Sequence, residues 1–255
     1  MNAKRLVWGG LEKVLGSLGF GLVRIPPPGR QNRPVGQTRL FLEDIKARGL
    51  RCRGIVDVGA NRGEWARMAM SIFPQAQFLL VEPQEEMREP LRKLSEEHSN
   101  VEYVLAGAGS QEGELLQTIY GNPEGSTFLP TAEEAGRRSG RQRKTRIVTL
   151  DATLRERKLD PDLVKLDVQG FELEVLKGAS ALFGRTQVFI LETSLYRFYE
   201  AMPLTREVIA FMASRGYEIY DITEFHRRPY DGALGQVDIA FALGSGSLRA
   251  SSQWS

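Results

Sequence analysis

Cysteine occurs once in the 255 residues, at Cys52, and histidine twice, at His98 and His226. A single thiol excludes an intramolecular disulfide and a cysteine-built metal cluster, and two histidines leave little material for a histidine-rich zinc site. Neither sign of charge dominates: 34 Lys and Arg face 32 Asp and Glu, a net +2, so no basic surplus points to a nucleic-acid partner. Long apolar runs are lacking, and nothing approaches a membrane span. Met1 to Ile25 is basic and apolar in the manner of a secretory signal, but Glu12 and Lys13 interrupt it and no small-residue cleavage site follows. These absences lead to the expectation of a reduced, cytoplasmic protein.

Glycine is what the chain has in excess: 26 residues, about a tenth of the total against a usual share of about 7%. Hydrophobic residues make up 42%, enough for a sizeable single core.

Val7, Leu11, Val14, Leu15 and Leu18 recur at helical spacing, and Pro26-Pro27-Pro28-Gly29 reads as a linker. Two fates are open to that helix's apolar side, packing on the domain or resting on a membrane surface. A second helix is predicted over Gln37 to Arg48, stopped by Gly49. Residues 1–50 are therefore read as a helical extension with a linker, residues 51–243 as the main domain, and the Gly- and Ser-rich residues 244–255 as a flexible tail.

Within 51–243 the texture alternates. Apolar strands are predicted at Ile55 to Val58, Phe78 to Val81, Val101 to Leu105, Leu163 to Val168 and Gln187 to Leu191. Helical patterns follow at Glu64 to Ile72, Glu85 to Glu97, Phe171 to Leu182 and Thr205 to Arg215. Tyr217 to Ile222 and Val237 to Leu243 have no helix between them and read as an antiparallel hairpin on a sheet edge. Glu114 to Tyr120 and Thr145 to Leu150 look extended, with Asn122 to Lys144 as a polar loop or a partly helical stretch. Strands alternating with helices make a mostly parallel sheet covered on both faces, with ligands at the C-terminal strand ends.

The first strand runs into Asp57-Val58-Gly59-Ala60-Asn61-Arg62-Gly63. Glycines here allow a tight turn and close approach of a ligand to the backbone. The dinucleotide pattern G-x-G-x-x-G is absent, which argues against a nicotinamide oxidoreductase. A carboxylate at Asp57 suits a cationic ligand better than a pyrophosphate, and Glu82, ending the second strand before Pro83, is placed to accept ribose hydroxyls. An adenosine with a positively charged tail, S-adenosyl-L-methionine, meets both acids.

Asp57 to Gly63 with Glu82-Pro83 resembles the first two motifs of Rossmann-like, class I methyltransferases. Val148-Thr149-Leu150-Asp151, Val164-Lys165-Leu166-Asp167-Val168-Gln169-Gly170-Phe171-Glu172, Leu176-Lys177-Gly178, Leu191-Glu192 and Val237-Asp238-Ile239-Ala240-Phe241 extend the resemblance to the FkbM family. It implies a seven-stranded Rossmann-like sheet with an antiparallel last strand. It also implies S-adenosylmethionine as cofactor and O-methylation of a sugar or secondary-metabolite hydroxyl. The sequence departs from many methyltransferases after the third strand, where Ala106-Gly107-Ala108-Gly109-Ser110 has no acidic residue for the adenine amine. Backbone groups of Gly107 and Ala108 are left for that role.

The candidate catalytic residues are Asp167, as base or as electrostatic partner of the sulfonium, then Glu192, then His226, expected in the loop of the final hairpin. Plainer roles stand beside them: Asp167 holding its turn, Glu192 paired with an arginine, His226 as a surface residue, Glu172 favouring its helix start. Tyr196, Phe198 and Tyr199 are core packing or an aromatic wall for a sugar ring. A divalent metal, as in some O-methyltransferases, would take Asp167 and Glu192 as oxygen ligands, but no metal-specific spacing supports it and no metal is expected. Arg137, Arg138, Arg141, Arg143, Lys144 and Arg146 form either a solvated loop or a seat for an anionic small-molecule or glycan acceptor. A scaffold that keeps the cofactor pocket without catalysis is the third functional class.

Overall fold

The computed structural model describes residues 15–17, 33–120, 126–129 and 140–253. The chain divides into Met1–Pro34 and Val35–Ser255. In the first unit, 15–17 form a turn of helix; the rest of the predicted first helix and the Pro26 to Gly29 linker lie outside the described residues.

The second unit opens with α1 (Thr38–Ala47), followed by β1 (Gly54–Val58), α2 (Glu64–Ile72), β2 (Gln77–Glu82), α3 (Arg88–Glu97) and β3 (Val101–Leu105). A small sheet comes next, β4 (Gly107–Ala108), β5 (Gly113–Tyr120) and β6 (Gly140–Val148). The main pattern resumes with α4 (Leu150–Arg157), β7 (Leu163–Leu166), α5 (Glu172–Lys177), β8 (Val188–Ser194), α6 (Thr205–Ser214), β9 (Tyr217–Arg227) and β10 (Leu234–Leu243).

The main sheet has seven strands in the order β3-β2-β1-β7-β8-β10-β9, and β10 runs antiparallel to both its neighbours. Its central strands are buried throughout, which is why they read as apolar runs rather than alternating patterns. One face packs Ile55, Phe78 and Leu80 against Phe41 of α1, Ala66 of α2 and Leu91 of α3. The other packs Val56, Leu79 and Val164 against Leu154 of α4, Val175 of α5 and Met212 of α6. No helix among the described residues is long and apolar enough to cross a membrane.

Several expectations change. Helix α1 belongs to the main body, not to an extension ending at residue 50: Phe41, Leu42 and Ile45 are fully buried in the core. Its start is pinned to β9 by Gly36 N–H donating to Ile222 O at 3.0 Å and the Thr38 hydroxyl to Thr223 O at 3.1 Å. The polar loop ends earlier than predicted, because Gly140 to Lys144 pair with β5. The extended run stops at Val148, where the Thr149 hydroxyl accepts from Ala152 N–H and caps α4, a helix the apolar pattern did not reveal. The helix predicted over Phe171 to Leu182 breaks at Gly178. A Cβ there would lie 2.0 Å from Gly109 O, so this glycine admits the backbone of the small sheet. His226 lies in strand β9 itself, not in the hairpin loop. The first tail residues are tied down: Gly244 N–H donates to Gly216 O, Leu248 packs on the core and Arg249 pairs with Glu218.

Candidate active site

The C-terminal ends of β1, β2 and β7 open into a cavity of about 850 Å³. Gly59, Ala60 and Asn61 line it on one side, with Glu82 and Pro83 next and Gly107 and Ala108 beyond. The turn is built by left-handed backbone at Gly59 (φ 79°), Asn61 (φ 47°) and Gly63 (φ 79°). Gly63 does not line the cavity; it starts α2 where a Cβ would meet Leu94 at 2.6 Å. Glu82 is buried, and each of its oxygens accepts a backbone N–H, from Asn61 at 2.8 Å and Gln84 at 2.9 Å. Burial pushes its carboxyl up to about 7 despite those bonds. The carboxylate thus fixes the turn and still presents lone pairs to the cavity.

Asp57 does not reach the cavity. It is fully buried, neither oxygen has a hydrogen-bond partner, and the cation it faces is Lys165, 3.9 Å away. Register explains the pairing, since Asp57 and Lys165 are direct neighbours on β1 and β7. Burial raises the Asp57 carboxyl to about 6, with Lys165 working against the rise. Lys165 also bonds Asp167 at 3.1 Å. Although burial disfavours its charge, the carboxylates around Lys165, Asp167 first, hold its ammonium above the ordinary lysine range. Asp167 is pulled the other way: burial disfavours its charge, but Lys165 and the Gln169 amide at 3.0 Å keep it below the usual carboxylate range. Asp167 is therefore an anion at neutral pH, suited to face a cation and poorly suited to accept a proton.

Glu192, Glu224, His226, Gln236 and Asp238 form the far wall. Glu192 Oε2 accepts from the amides of Gln169 and Gln236, both at 2.8 Å. Burial, with Asp167, Glu172 and Asp238 nearby, raises its carboxyl well above the usual range. His226 Nε2 stands 3.5 Å from Asp238 Oδ1, a contact that raises the imidazole pKa. A second cavity of about 240 Å³ shares Gln169, His226 and Gln236 with the first and is walled by Phe198, Tyr199 and Met202. Arg228 sits beside it, stacked on Tyr196 at 4.0 Å and paired with Asp231.

Asp167, Glu192 and His226 are thus brought to one wall. Glu172 is not in the cavity: its Oε1 accepts from Val168 and Gly170 N–H, both at 3.2 Å, and so holds the turn after β7. Of the basic run, Arg143 pairs with Glu86 at 2.9 Å and Lys144 stands 3.9 Å from Glu114. Arg137, Arg138 and the side chain of Arg141 lie outside the described residues. Lys165, Asp238 and Gln236 were not singled out from sequence as site residues; the available signal was a polar residue interrupting an otherwise apolar strand.

Burial places the Glu172 carboxyl at about 7, up from 4.5. A carboxyl raised on folding stabilises fully below its unfolded pKa, and that contribution is lost as pH climbs through the folded value. Glu172→Gln lacks this loss. Relative to wild type, the variant is expected to gain stability between about pH 4.5 and 7, on the order of 3 kcal/mol at most. Thermal melts across pH check this; a difference that stays flat with pH contradicts it.

The methyltransferase FkbM domain matches residues 57–219, well over half of the chain. The chain belongs to the FkbM methyltransferase family. Methyltransferase sdnD of Sordaria araneosa is 28% identical over 194 residues, 65% of this chain and 73% of that protein. Methyltransferase FkbM from Methylobacillus flagellatus KT is similar in fold, with a TM-score of 0.50 at 15% identity over 80% of this chain. The match spans 48% of that chain, about half its length. Aeropyrum pernix fibrillarin, crystallised with natively bound S-adenosyl-L-methionine, has a TM-score of 0.45 at 14% identity, covering 83% of this chain and 70% of that one.

This FkbM-family protein is a methyltransferase, and its cofactor is S-adenosylmethionine. The cavity fits that molecule in its own chemistry. At Gly59 a Cβ would lie 1.8 Å from Asp167 O, so only glycine lets the two loops close under a ligand. Trp65 lines the cavity with its indole Nε1 buried and without a partner, a spare donor for a carboxylate. Anionic Asp167 lines the same cavity, and Glu82 offers acceptors suited to ribose hydroxyls.

Proposed function

We propose that the protein methylates a hydroxyl of a small-molecule or glycan acceptor. The observation that carries this reading is the junction of the two cavities at Gln169, His226 and Gln236. The larger has the polar groups an adenosine needs, and the smaller has aromatic walls suited to a ring. Arg227 and Arg228 flank the smaller one and suit an acceptor carrying negative charge.

When bound, S-adenosylmethionine supplies a methyl group activated by a sulfonium. The chain supplies the surroundings. Lys165 keeps Asp167 ionised, a fixed negative charge in the cavity lining that would favour a cationic centre. Gln169 bonds both Asp167 and Glu192 and holds the two acids in one geometry. The hydroxyl sits at the cavity junction, and its proton passes beside Glu192, His226 and Asp238 to solvent.

Methyl-labelled S-adenosylmethionine and a panel of hydroxylated sugars and polyketide-type acceptors test the reading. The expected product is an O-methyl ether identified by NMR. Label found on carbon or nitrogen overturns O-methylation. Calorimetry that shows tight NADH binding and none to S-adenosylhomocysteine overturns the cofactor assignment.

A further inference from the structure

Three carboxylates lie in one row across three neighbouring strands. Asp238 of β10 is the direct partner of Glu192 on β8 and of Glu224 on β9. Like charges directly opposite in a sheet repel, and burial strengthens the repulsion. Glu192 and Asp238 are both buried, at 7% and 4% exposure. Lys165 relieves them only in part: its ammonium bonds Asp167 and faces Asp57, and it acts on Glu192 and Asp238 through charge alone, without a hydrogen bond to either.

Two further observations point to a ligand at this row. Asp238 Oδ1 is buried, lines the cavity wall and has no hydrogen-bond partner. The His226 Nε2 at 3.5 Å lies beyond good hydrogen-bond range. In addition, one ligand atom each from Glu192, His226 and Asp238 can be chosen so that all three lie within 4.8 Å of one another. Ligands on opposite sides of a divalent cation, each at about 2.1–2.3 Å, stand about 4.2–4.6 Å apart, so small side-chain movements close the set.

We propose that Glu192, His226 and Asp238 form a binding site for a divalent cation of the Mn²⁺ type. Two carboxylates with one imidazole suit a first-row ion that tolerates both oxygen and nitrogen ligands. Glu192 Oε2 already accepts two amide bonds, which orients the carboxylate and leaves Oε1 for the ion. The ion's remaining positions face the cavity junction. There it would lower the pKa of an acceptor hydroxyl and ease loss of its proton to solvent. This role rests on the hydroxyl-acceptor reading above; the binding itself does not.

The test uses the full chain, stripped with EDTA and dialysed. Mn²⁺ is titrated in, and free ion is followed by its electron paramagnetic resonance signal. One site is expected in wild type, weakened roughly tenfold or more in Asp238→Asn and in Glu192→Gln. Thermal melting and S-adenosylhomocysteine calorimetry report whether each variant is folded, and two independent variants guard against the loss of one. Absence of Mn²⁺ binding in wild type, or equal binding in both folded variants, overturns the site. Hydroxyl methylation that proceeds undiminished in EDTA with no bound ion overturns the ion's role in proton loss while leaving the O-methyl reading intact. Mn²⁺ binding that depends on Asp238 and Glu192 supports the site even if no hydroxyl acceptor is ever methylated.

Discussion

Lys165→Met is expected to lose a large share of its folding stability at neutral pH and to regain part of it on acidification. The ammonium sits between Asp57 and Asp167, and its removal leaves the fully buried Asp57 carboxylate and the partly exposed Asp167 carboxylate without their cation. Removing one partner from a buried ion pair costs about 3–5 kcal/mol, against total stabilities of about 5–15 kcal/mol. The sign of the pH effect follows from which acid can take up a proton. Asp57 is already raised to about 6 by burial with Lys165 present, and loses its downward pull without it. Its folded pKa then lies further above the unfolded value, so the fold gains stability as pH falls and loses it as pH rises. Urea unfolding at acidic and at slightly alkaline pH gives the comparison. The double variant Lys165→Met with Asp57→Asn should recover much of the loss, because no charge then sits opposite the gap. Wild-type stability in the single variant, or no dependence on pH, is inconsistent with this arrangement.

Gly59→Ala should be nearly as damaging. Gly59 has φ 79°, and an added Cβ would lie 1.8 Å from Asp167 O. The left-handed backbone alone costs about 1–2 kcal/mol, and the clash adds about 1–3 kcal/mol of overpacking. The loops after β1 and β7 must separate, which moves Asp167 away from the cavity. Affinity for S-adenosylhomocysteine is therefore expected to fall roughly tenfold or more, as 1.4 kcal/mol suffices for each decade. Gly49 is the internal control: its φ is 97°, yet nothing lies within 4 Å of its added Cβ. Gly49→Ala should show only the conformational cost and bind S-adenosylhomocysteine normally. Equal losses in the two variants, by equilibrium unfolding and calorimetry, would mean that the contact with Asp167 is unimportant.

The cofactor side of the site was legible in the sequence because it is local. Asp57 to Gly63 form one turn, and Glu82 follows on the next strand, so spacing and residue type suffice. Even there, side-chain direction was not readable. Residue type and position make Asp57 a ligand for a cationic cofactor, yet strand alternation turns it into the core beside Lys165. The acceptor side depends on register, which sequence does not display. Asp238 interrupts an apolar strand, and only its pairing with Glu192 and Glu224 turns that interruption into a row of acids. Glu224 to Arg228 lacks an apolar pattern and so reads as a loop around His226, but β9 continues to Arg227 along the exposed edge. Helix α4 is hidden in the sequence because its charged residues mask its buried Leu150 and Leu154; its signals are the Thr149 cap and Asp151 in the first turn.

The sheet order has a consequence for how the protein is made. The strand nearest the C-terminus, β10, lies between β8 and β9 in space, so β9 has no place in the sheet until residues 234–243 have been synthesised. The cofactor turn and its support from β7 are complete once Leu166 has emerged. The wall carrying Glu192, His226 and Asp238 must wait for nearly eighty more residues. A nascent chain thus acquires its nucleoside pocket well before its acceptor wall, and during that interval β8 presents an open edge.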